Sequence, residues 1–192
     1  LYSRDTLLRI RIVKQAEGAR LVAQAKETNT VADMNRKSFG SEVDRNIPNP
    51  GIQHTNRLAL VIGNEDYSRD GSTFTNVDYA LNDALIFQQY AIRCMGIPAE
   101  NCLILKNGTR NDMITKLDEL SERAKRRQGA EIILYYAGHG QPDRANDGAP
   151  YLMPVDGDAG NTKTLVQLAE VYGQLAESGA ARVTVFLDAC FS

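Results

Sequence analysis

The sequence predicts an α/β domain with a mostly parallel sheet that helices cover on both faces. Four short apolar runs recur in the second part of the chain, and each has the length of a strand buried on both faces. Segments with helical periodicity separate these runs. A helix that crosses over between two strands returns the chain to the same edge of the sheet, so this alternation favours parallel pairing.

The first half of the predicted domain contains two strands and one helix. The apolar run LALVIG over 58–63 predicts the first strand. Apolar residues at helical spacing predict a helix over about 78–95, and Gly96 is typical of the position just beyond a helix end. The run CLIL over 102–105 predicts the second strand.

The second half of the predicted domain repeats this pattern. Thr109 and Asp112 have the spacing of a capping box that opens the next helix. The run EIILYYA over 131–137 predicts the third strand. A short helix is predicted over about 165–177, and the run RVTVFLDA over 182–189 predicts the fourth strand.

Residues 1–57 differ in composition from the predicted domain of residues 58–192. Their first apolar residues fit either a short strand or one face of a helix, and we favour a helix over about 12–28. The polar stretch 29–56, with its prolines and glycines, is typical of a linker. We therefore predict an N-terminal helical appendage and linker followed by one α/β domain.

The charge pattern argues against nucleic acid as a partner. The net charge is −2, and the basic cluster Lys125, Arg126 and Arg127 suits the solvated end of a helix. Residues 58–192 hold 12 Lys and Arg against 18 Asp and Glu, which favours a cationic substrate. The apolar runs are too short for a membrane span and no secretory signal is visible, so we expect a cytoplasmic protein without membrane contact.

No metal or other cofactor is expected from the sequence. Three cysteines without metal-type spacing and only two histidines argue against structural zinc. We interpret Cys94 and Cys102 as small buried hydrophobic residues. Four loop acids have oxygen ligands of the kind calcium prefers, but their spacing matches no calcium loop and we interpret them as solvated: Asp143, Asp147, Asp156 and Asp158.

His139 and Cys190 are the candidates for catalysis. Each follows a predicted strand, so parallel pairing brings both to the carboxyl edge of the sheet, where α/β active sites lie. A cysteine attacks as a thiolate and needs a base, and the pKa of histidine lies near neutrality. Glycines flank His139 and leave room for a peptide, and the amides of Gly140 and Cys190 are candidate donors to an oxyanion.

These residues resemble the caspase-like cysteine peptidases. His139 precedes Cys190 by 51 positions, and the run Asp188-Ala189-Cys190 is similar to the caspase signature around the nucleophile. The likeness covers residues 58–192 and is closer to metacaspases and bacterial caspase homologues than to animal caspases. Five blocks carry it in order: LALVIGNEDY, LNDA, YYAGHG, YLMPVD and VTVFLDACFS.

The resemblance implies a cleavage preference. Animal caspases have glutamine before the Ala-Cys pair and cleave after aspartate, whereas metacaspases have aspartate at that position. By this resemblance Asp83 and Asp188 form the pocket for an Arg or Lys side chain at P1, the residue preceding the cleaved bond. Two carboxylates would satisfy the charge of such a buried cation. Self-processing is a further expectation, and calcium activation is known among metacaspases although no motif here supports it.

The resemblance also implies two further strands beyond Cys190. The sequence stops at Ser192 and starts at Leu1 rather than at Met, so we expect a fragment or a processed piece. We therefore expect a C-terminal small-subunit fragment or a partner chain that covers the exposed sheet edge.

Two other functions compete with a cysteine endopeptidase. One is a non-catalytic caspase-like interaction module in which residues 1–57 form a docking arm. The other is a general α/β hydrolase or nucleotide-binding domain. The absence of G-x-S-x-G, Walker A and G-x-G-x-x-G runs argues against this last class.

Overall fold

The computed structural model describes residues 42–68, 74–143 and 148–190. The helix predicted over 12–28 lies outside these residues. The elements appear in this order: α1 (Glu42–Arg45), β1 (Arg57–Gly63), α2 (Ala80–Arg93), β2 (Cys102–Lys106), α3 (Arg110–Lys125), β3 (Glu131–Ala137), β4 (Gly140–Asp143), β5 (Ala149–Leu152), β6 (Val166–Gln167), α4 (Leu168–Glu177) and β7 (Arg182–Asp188).

The main sheet has four parallel strands in the order β2-β1-β3-β7. The predicted fold class is thereby confirmed. Strand β1 lies between β2 and β3, so the chain moves outward first to one side of β1 and then to the other. Such a reversal opens a crevice beyond the carboxyl ends of the strands, which here are the ends of β1 and β3.

Helices cover both faces of this sheet. The faces alternate along β1, so that Ala59 and Val61 pack towards α2 while Leu60 and Ile62 pack towards α3 and α4. Residues 58–62 are all at most 1% exposed, which explains the continuous apolar run. Each large aliphatic side chain buried in this way contributes about 1.5–3 kcal/mol to folding.

A second sheet of three antiparallel strands, β4-β5-β6, was not predicted from the sequence. Its strands are two to four residues long, too short to show a period. Pro142 and Pro150 lie opposite each other in it, and proline is depleted in strands because it donates no backbone hydrogen bond.

The predicted capping box at the start of α3 is confirmed. The hydroxyl of Thr109 accepts a hydrogen bond from the amide of Asp112 at 3.2 Å, and the carboxylate of Asp112 accepts one from the amide of Thr109 at 3.0 Å. A carboxylate oxygen of Asp156 accepts from the amide of Arg110 at 2.8 Å. Asp156, predicted to be a solvated loop acid, is exposed and also satisfies a backbone donor of this helix start.

The described end of the predicted linker contacts the domain. Ile47 is buried, and the amide of His54 donates a hydrogen bond to the carbonyl of Gly96 at 2.7 Å. The side chain of Asn56 donates to the carbonyl of Gly129 at 2.7 Å. The division between residues 57 and 58 stays a prediction.

The two cysteines outside the candidate site differ from each other. Cys102 opens β2 and is buried, as predicted, and burial raises the pKa of its thiol to about 11. The prediction that Cys94 is buried was wrong, because Cys94 caps the C-terminal end of α2, where the chain leaves the helix at the surface.

Within the described residues, no helix is long and apolar enough to cross a membrane.

Candidate active site

The pairing of β3 with β7 brings the two catalytic candidates to neighbouring strand ends. Ala137 and Asp188 are the last paired residues of these strands. His139 lies two residues beyond the end of β3, and Cys190 lies two residues beyond the end of β7. Neighbouring strands are about 4.8 Å apart, so both residues emerge at the same place on the carboxyl edge. Cys190 is exposed, as a nucleophile that meets a substrate must be.

The imidazole of His139 is oriented by a backbone carbonyl. Its Nε2 atom lies 2.8 Å from the carbonyl oxygen of Thr75. A carbonyl oxygen only accepts hydrogen bonds, so Nε2 carries a hydrogen and Nδ1 is the nitrogen that can take up a proton in the neutral ring. The rings of Tyr67 and Phe74 flank the imidazole, with centroid distances of 4.8 Å and 5.6 Å.

The amide of Gly140, a candidate oxyanion donor, points away from β5. Gly140 lies opposite Leu152 in the antiparallel pair, and the amide of Met153 donates to the carbonyl of His139 at 3.0 Å. That bond makes Gly140 and Leu152 a non-hydrogen-bonded pair, in which the amides face away from the partner strand. Cys190, whose amide is the other candidate, lies two residues beyond the end of β7.

Asp83 is brought to the same edge by a close approach of α2 to β1. Gly63 ends β1, and a β-carbon there would lie 2.7 Å from the β-carbon of Ala84 and 2.8 Å from the carbonyl oxygen of Ala80. Only glycine permits this approach of helix and strand. Because Asp83 lies in the first turn of α2, it reaches the carboxyl edge of the sheet.

Asp83 and Asp188 come together with Tyr135. Phe186 is paired with Tyr135, and both pack towards α2. Asp188 lies two residues further along β7 and therefore faces the same side. Burial, followed by the negative charges of Asp188 and Asp83, raises the pKa of Tyr135, which indicates that its hydroxyl lies near both carboxylates.

The two carboxyl groups are close enough to influence each other. Burial raises the pKa of Asp83, a hydrogen bond from Asn82 acts in the opposite direction, and the charges of Asp188, Asp44 and Glu65 raise it further. The first turn of a helix would by itself favour an ionised carboxylate. Burial and acidic neighbours outweigh that effect here. Among the ion pairs of the described residues, none includes Asp83 or Asp188.

Aromatic side chains form the apolar part of this acidic cluster. The rings of Phe87 and Tyr135 are stacked, with centroids 4.2 Å apart and planes inclined by 18°. Phe87 also contacts Phe186 at a centroid distance of 5.2 Å. Such rings can pack against the alkyl part of a long basic side chain, while the carboxylates meet its charge.

Some of the residues at the site were missed in the sequence analysis. Tyr135 could have been found from the sequence, because side chains two residues apart along a strand lie on the same face of the sheet. Once the third and fourth strands are paired, this places Tyr135 on the same face as Asp188. Tyr67 and Thr75 lie in the segment between β1 and α2, and nothing in their spacing connects them to His139. Thr75 acts through its backbone carbonyl, so its residue type carries no signal.

The described residues contain no group of three or more His, Cys, Asp or Glu side chains that could hold a metal ion. Asp158, one of the acids predicted to be solvated, accepts one hydrogen bond from the amide of Gly160 at 2.9 Å and pairs with Asn161 in a short bridge. Asp143 belongs to β4, and Asp147 lies outside the described residues. The expectation that no cofactor is needed stays a prediction.

The four-stranded parallel sheet with strand-end histidine and cysteine is typical of a caspase-like cysteine peptidase. Residues 56–192 match the family model of the caspase domain, peptidase family C14. This match covers well over half of the chain, so the chain belongs to the caspase domain family. The family consists of cysteine peptidases that act on protein substrates, and it also includes inactive members.

A solved structure with a similar fold is that of protein GSU0716 from Geobacter sulfurreducens. It is 25% identical to this chain, with a TM-score of 0.52, and the match covers 70% of this chain and 50% of that one. The chain thus spans half the length of that protein. No curated protein matches the sequence.

Proposed function

We propose that this chain carries the active site of a cysteine endopeptidase that cleaves after Arg or Lys, with Cys190 as nucleophile and His139 as base. The observation that carries the proposal is the convergence of Asp83, Asp188 and Tyr135 beside the strand end that leads to Cys190. In this proposal the histidine and cysteine at the strand ends supply the reacting groups of a peptidase. The acidic pocket beside them binds the P1 side chain of the same substrate.

The proposed reaction begins with the thiol of Cys190. Its sulfur attacks the carbonyl carbon of the scissile peptide while its proton passes to Nδ1 of His139. The hydrogen bond from Nε2 to Thr75 holds the ring in the tautomer that leaves Nδ1 to accept this proton. The tetrahedral intermediate collapses, the carbon–nitrogen bond breaks, and the imidazolium gives the proton to the leaving amine. Water then hydrolyses the thioester and releases the enzyme.

The oxyanion of the intermediate needs amide donors. We assign this role to the amides of Gly140 and Cys190. The amide of Gly140 supports the assignment, because its hydrogen points away from β5 and takes no part in the hydrogen bonds between β4 and β5.

The acidic pocket determines the preference for a basic P1 residue. An arginine or lysine side chain would supply positive charge to Asp83 and Asp188, which form no ion pair within the part of the chain that the structure describes. A P1 aspartate would add a third carboxylate to the cluster, and a neutral residue would leave both carboxylates without a cation. Asp188 is exposed and Asp83 is half-buried. Discrimination of at least about tenfold in kcat/KM is expected, because a hydrogen bond to a charged group contributes about 1.5–3 kcal/mol.

The test uses three fluorogenic peptides that differ only at P1, with Arg, Lys or Asp. The unaltered protein should cleave the first two, and Cys190→Ala and His139→Ala should each abolish cleavage. Cleavage after Asp, or cleavage that survives Cys190→Ala, contradicts the proposal. A Cys190 thiol that no P1-Arg electrophile labels, in a protein that binds a partner stably, would instead support a non-catalytic interaction module.

Self-processing and a partner segment belong to the same proposal. The match spans half of the solved relative, which supports a further segment or partner chain that completes the substrate groove. Intact masses recorded over time should reveal fragments that end after Lys or Arg, and these should be absent in Cys190→Ala.

The rate of peptide cleavage should be equal in calcium and in a chelator, because the described acids form no metal-binding group.

A further inference from the structure

A buried polar cluster lies behind the turn that carries His139. Asn64, Tyr67 and Tyr136 are each 0% exposed. All three reach the carbonyl oxygen of Met153: the amide nitrogen of Asn64 at 3.1 Å, the hydroxyl of Tyr67 at 3.1 Å and the hydroxyl of Tyr136 at 2.9 Å. Polar groups this deeply buried are costly unless each is paired, so this geometry is strongly constrained.

The two tyrosine hydroxyls also hold the backbone of His139. The amide of His139 donates to the hydroxyl oxygen of Tyr67 at 3.1 Å, and the hydroxyl of Tyr136 lies 2.7 Å from the carbonyl oxygen of His139. One tyrosine therefore binds the residue on its amide side and the other on its carbonyl side.

One assignment of hydrogens satisfies every group in the cluster. A hydroxyl has one hydrogen and a carbonyl oxygen has two lone pairs. Tyr136 donates to the carbonyl of His139, which also accepts from the amide of Met153. Tyr67 and Asn64 donate to the carbonyl of Met153. Tyr67 thus accepts from His139 and donates to Met153, and it joins the histidine turn to the end of β5.

Gly138 shows how closely the hydroxyls approach the turn. A β-carbon on Gly138 would lie 2.8 Å from the hydroxyl of Tyr136 and 2.9 Å from that of Tyr67. Its φ of +153° is also one that residues with a side chain rarely adopt. The glycine before His139 is therefore required by the two tyrosines as well as by the backbone.

We infer that Tyr67 is a positioning residue for His139, acting through its hydroxyl on the amide of His139 and through its ring on the imidazole. The inference rests on the proposed function, in which His139 is the base. Tyr67→Phe would keep the ring contact at 4.8 Å but leave the amide of His139 without this acceptor. Burial raises the pKa values of Tyr67 and Tyr136, so both hydroxyls keep their hydrogens at neutral pH.

The test compares Tyr67→Phe with Tyr172→Phe, which removes a half-buried hydroxyl on α4. Kinetics with a P1-Arg peptide should show kcat lowered about tenfold by Tyr67→Phe, with KM changed less than about twofold. Tyr172→Phe should change neither. The second readout is NMR of the histidine rings, which is well suited because the chain has only two histidines, His54 and His139.

The NMR readout is independent of peptidase activity. The ring of His139 should show the Nε2–H tautomer in the unaltered protein, and Tyr67→Phe should change its tautomer population and ring nitrogen chemical shifts while the signals of His54 stay the same. Unchanged His139 signals in folded Tyr67→Phe would overturn the inference. An unaltered protein that cleaves no peptide counts against the proposed function alone. If Tyr67→Phe does not fold, Tyr136→Phe is judged by the same two readouts.

Discussion

The amide of Gly138 donates a hydrogen bond to the carbonyl of Asp188 at 3.2 Å. This bond continues the ladder between β3 and β7 beyond their last paired residues, Ala137 and Asp188. It defines the register in which the two strands present His139 and Cys190. A slip of one residue would move the side chain of Asp188 to the opposite face of the sheet, away from Asp83.

Gly138→Ala should lower both stability and peptidase activity. The new β-carbon would overlap the hydroxyls of Tyr67 and Tyr136, and the backbone would be strained. We expect a loss of about 2–3 kcal/mol in the free energy of unfolding, measured by chemical denaturation. Gly129→Ala is the matched control, because at φ +68° a β-carbon would meet no described atom within 4 Å. Equal losses in both variants would show that backbone strain alone is responsible.

Asp188→Asn should reduce cleavage after Arg without disturbing the fold. The pocket would keep its shape but lose one of the two charges proposed to bind the P1 cation, so kcat/KM for a P1-Arg peptide should fall at least about tenfold. Glu177→Gln removes an exposed negative charge at the end of α4 and should leave the rate unchanged. An equal effect of both changes would indicate general electrostatic attraction rather than a pocket.

Asp83→Asn should stabilise the ligand-free protein at neutral pH while it impairs cleavage after basic residues. Burial raises the pKa of Asp83 above its ordinary value of 3.8. The folded state therefore favours the protonated carboxyl, and stability falls as the pH rises through the folded pKa. The neutral asparagine avoids this loss. Thermal unfolding followed from pH 7 downwards should show a higher Tm for Asp83→Asn that converges with the unaltered protein below about pH 4. A lower Tm at pH 7 would contradict the assigned electrostatics.

The three cysteines should differ in their reaction with an alkylating reagent. Cys102 is buried and its pKa is raised to about 11, so almost no thiolate is present at neutral pH. Cys94 and Cys190 are exposed. Peptide mapping after brief treatment with iodoacetamide should find label on Cys94 and Cys190 and none on Cys102. Denatured protein is the control and should carry three labels. Rapid labelling of Cys102 in folded protein would show that β2 opens readily.

Much of the fold could be predicted because the parallel strands are continuous apolar runs. The third strand, 131–137, was predicted with its observed bounds, and β1 and β2 were each displaced by one residue at one end. The middle of a strand buried on both faces is apolar, so its position is marked in the sequence. Polar residues such as Arg57 and Lys106 occupy strand ends, which is why the borders shifted by one residue. The small antiparallel sheet has no such border, because its strands are short and Pro142 and Pro150 interrupt their pattern.

The sequence by itself determined which chemistry is available and where along the chain it lies. A histidine and a cysteine each follow an apolar strand, and parallel pairing then brings them to one edge. The tertiary structure decided what surrounds them. Thr75 and Tyr67 are 64 and 72 positions from His139. Tyr135, Asp83 and Asp188 come together although they belong to three different elements, β3, α2 and β7. Such contacts depend on a loop path and a sheet register, which packing of the whole domain selects and local residue patterns do not encode.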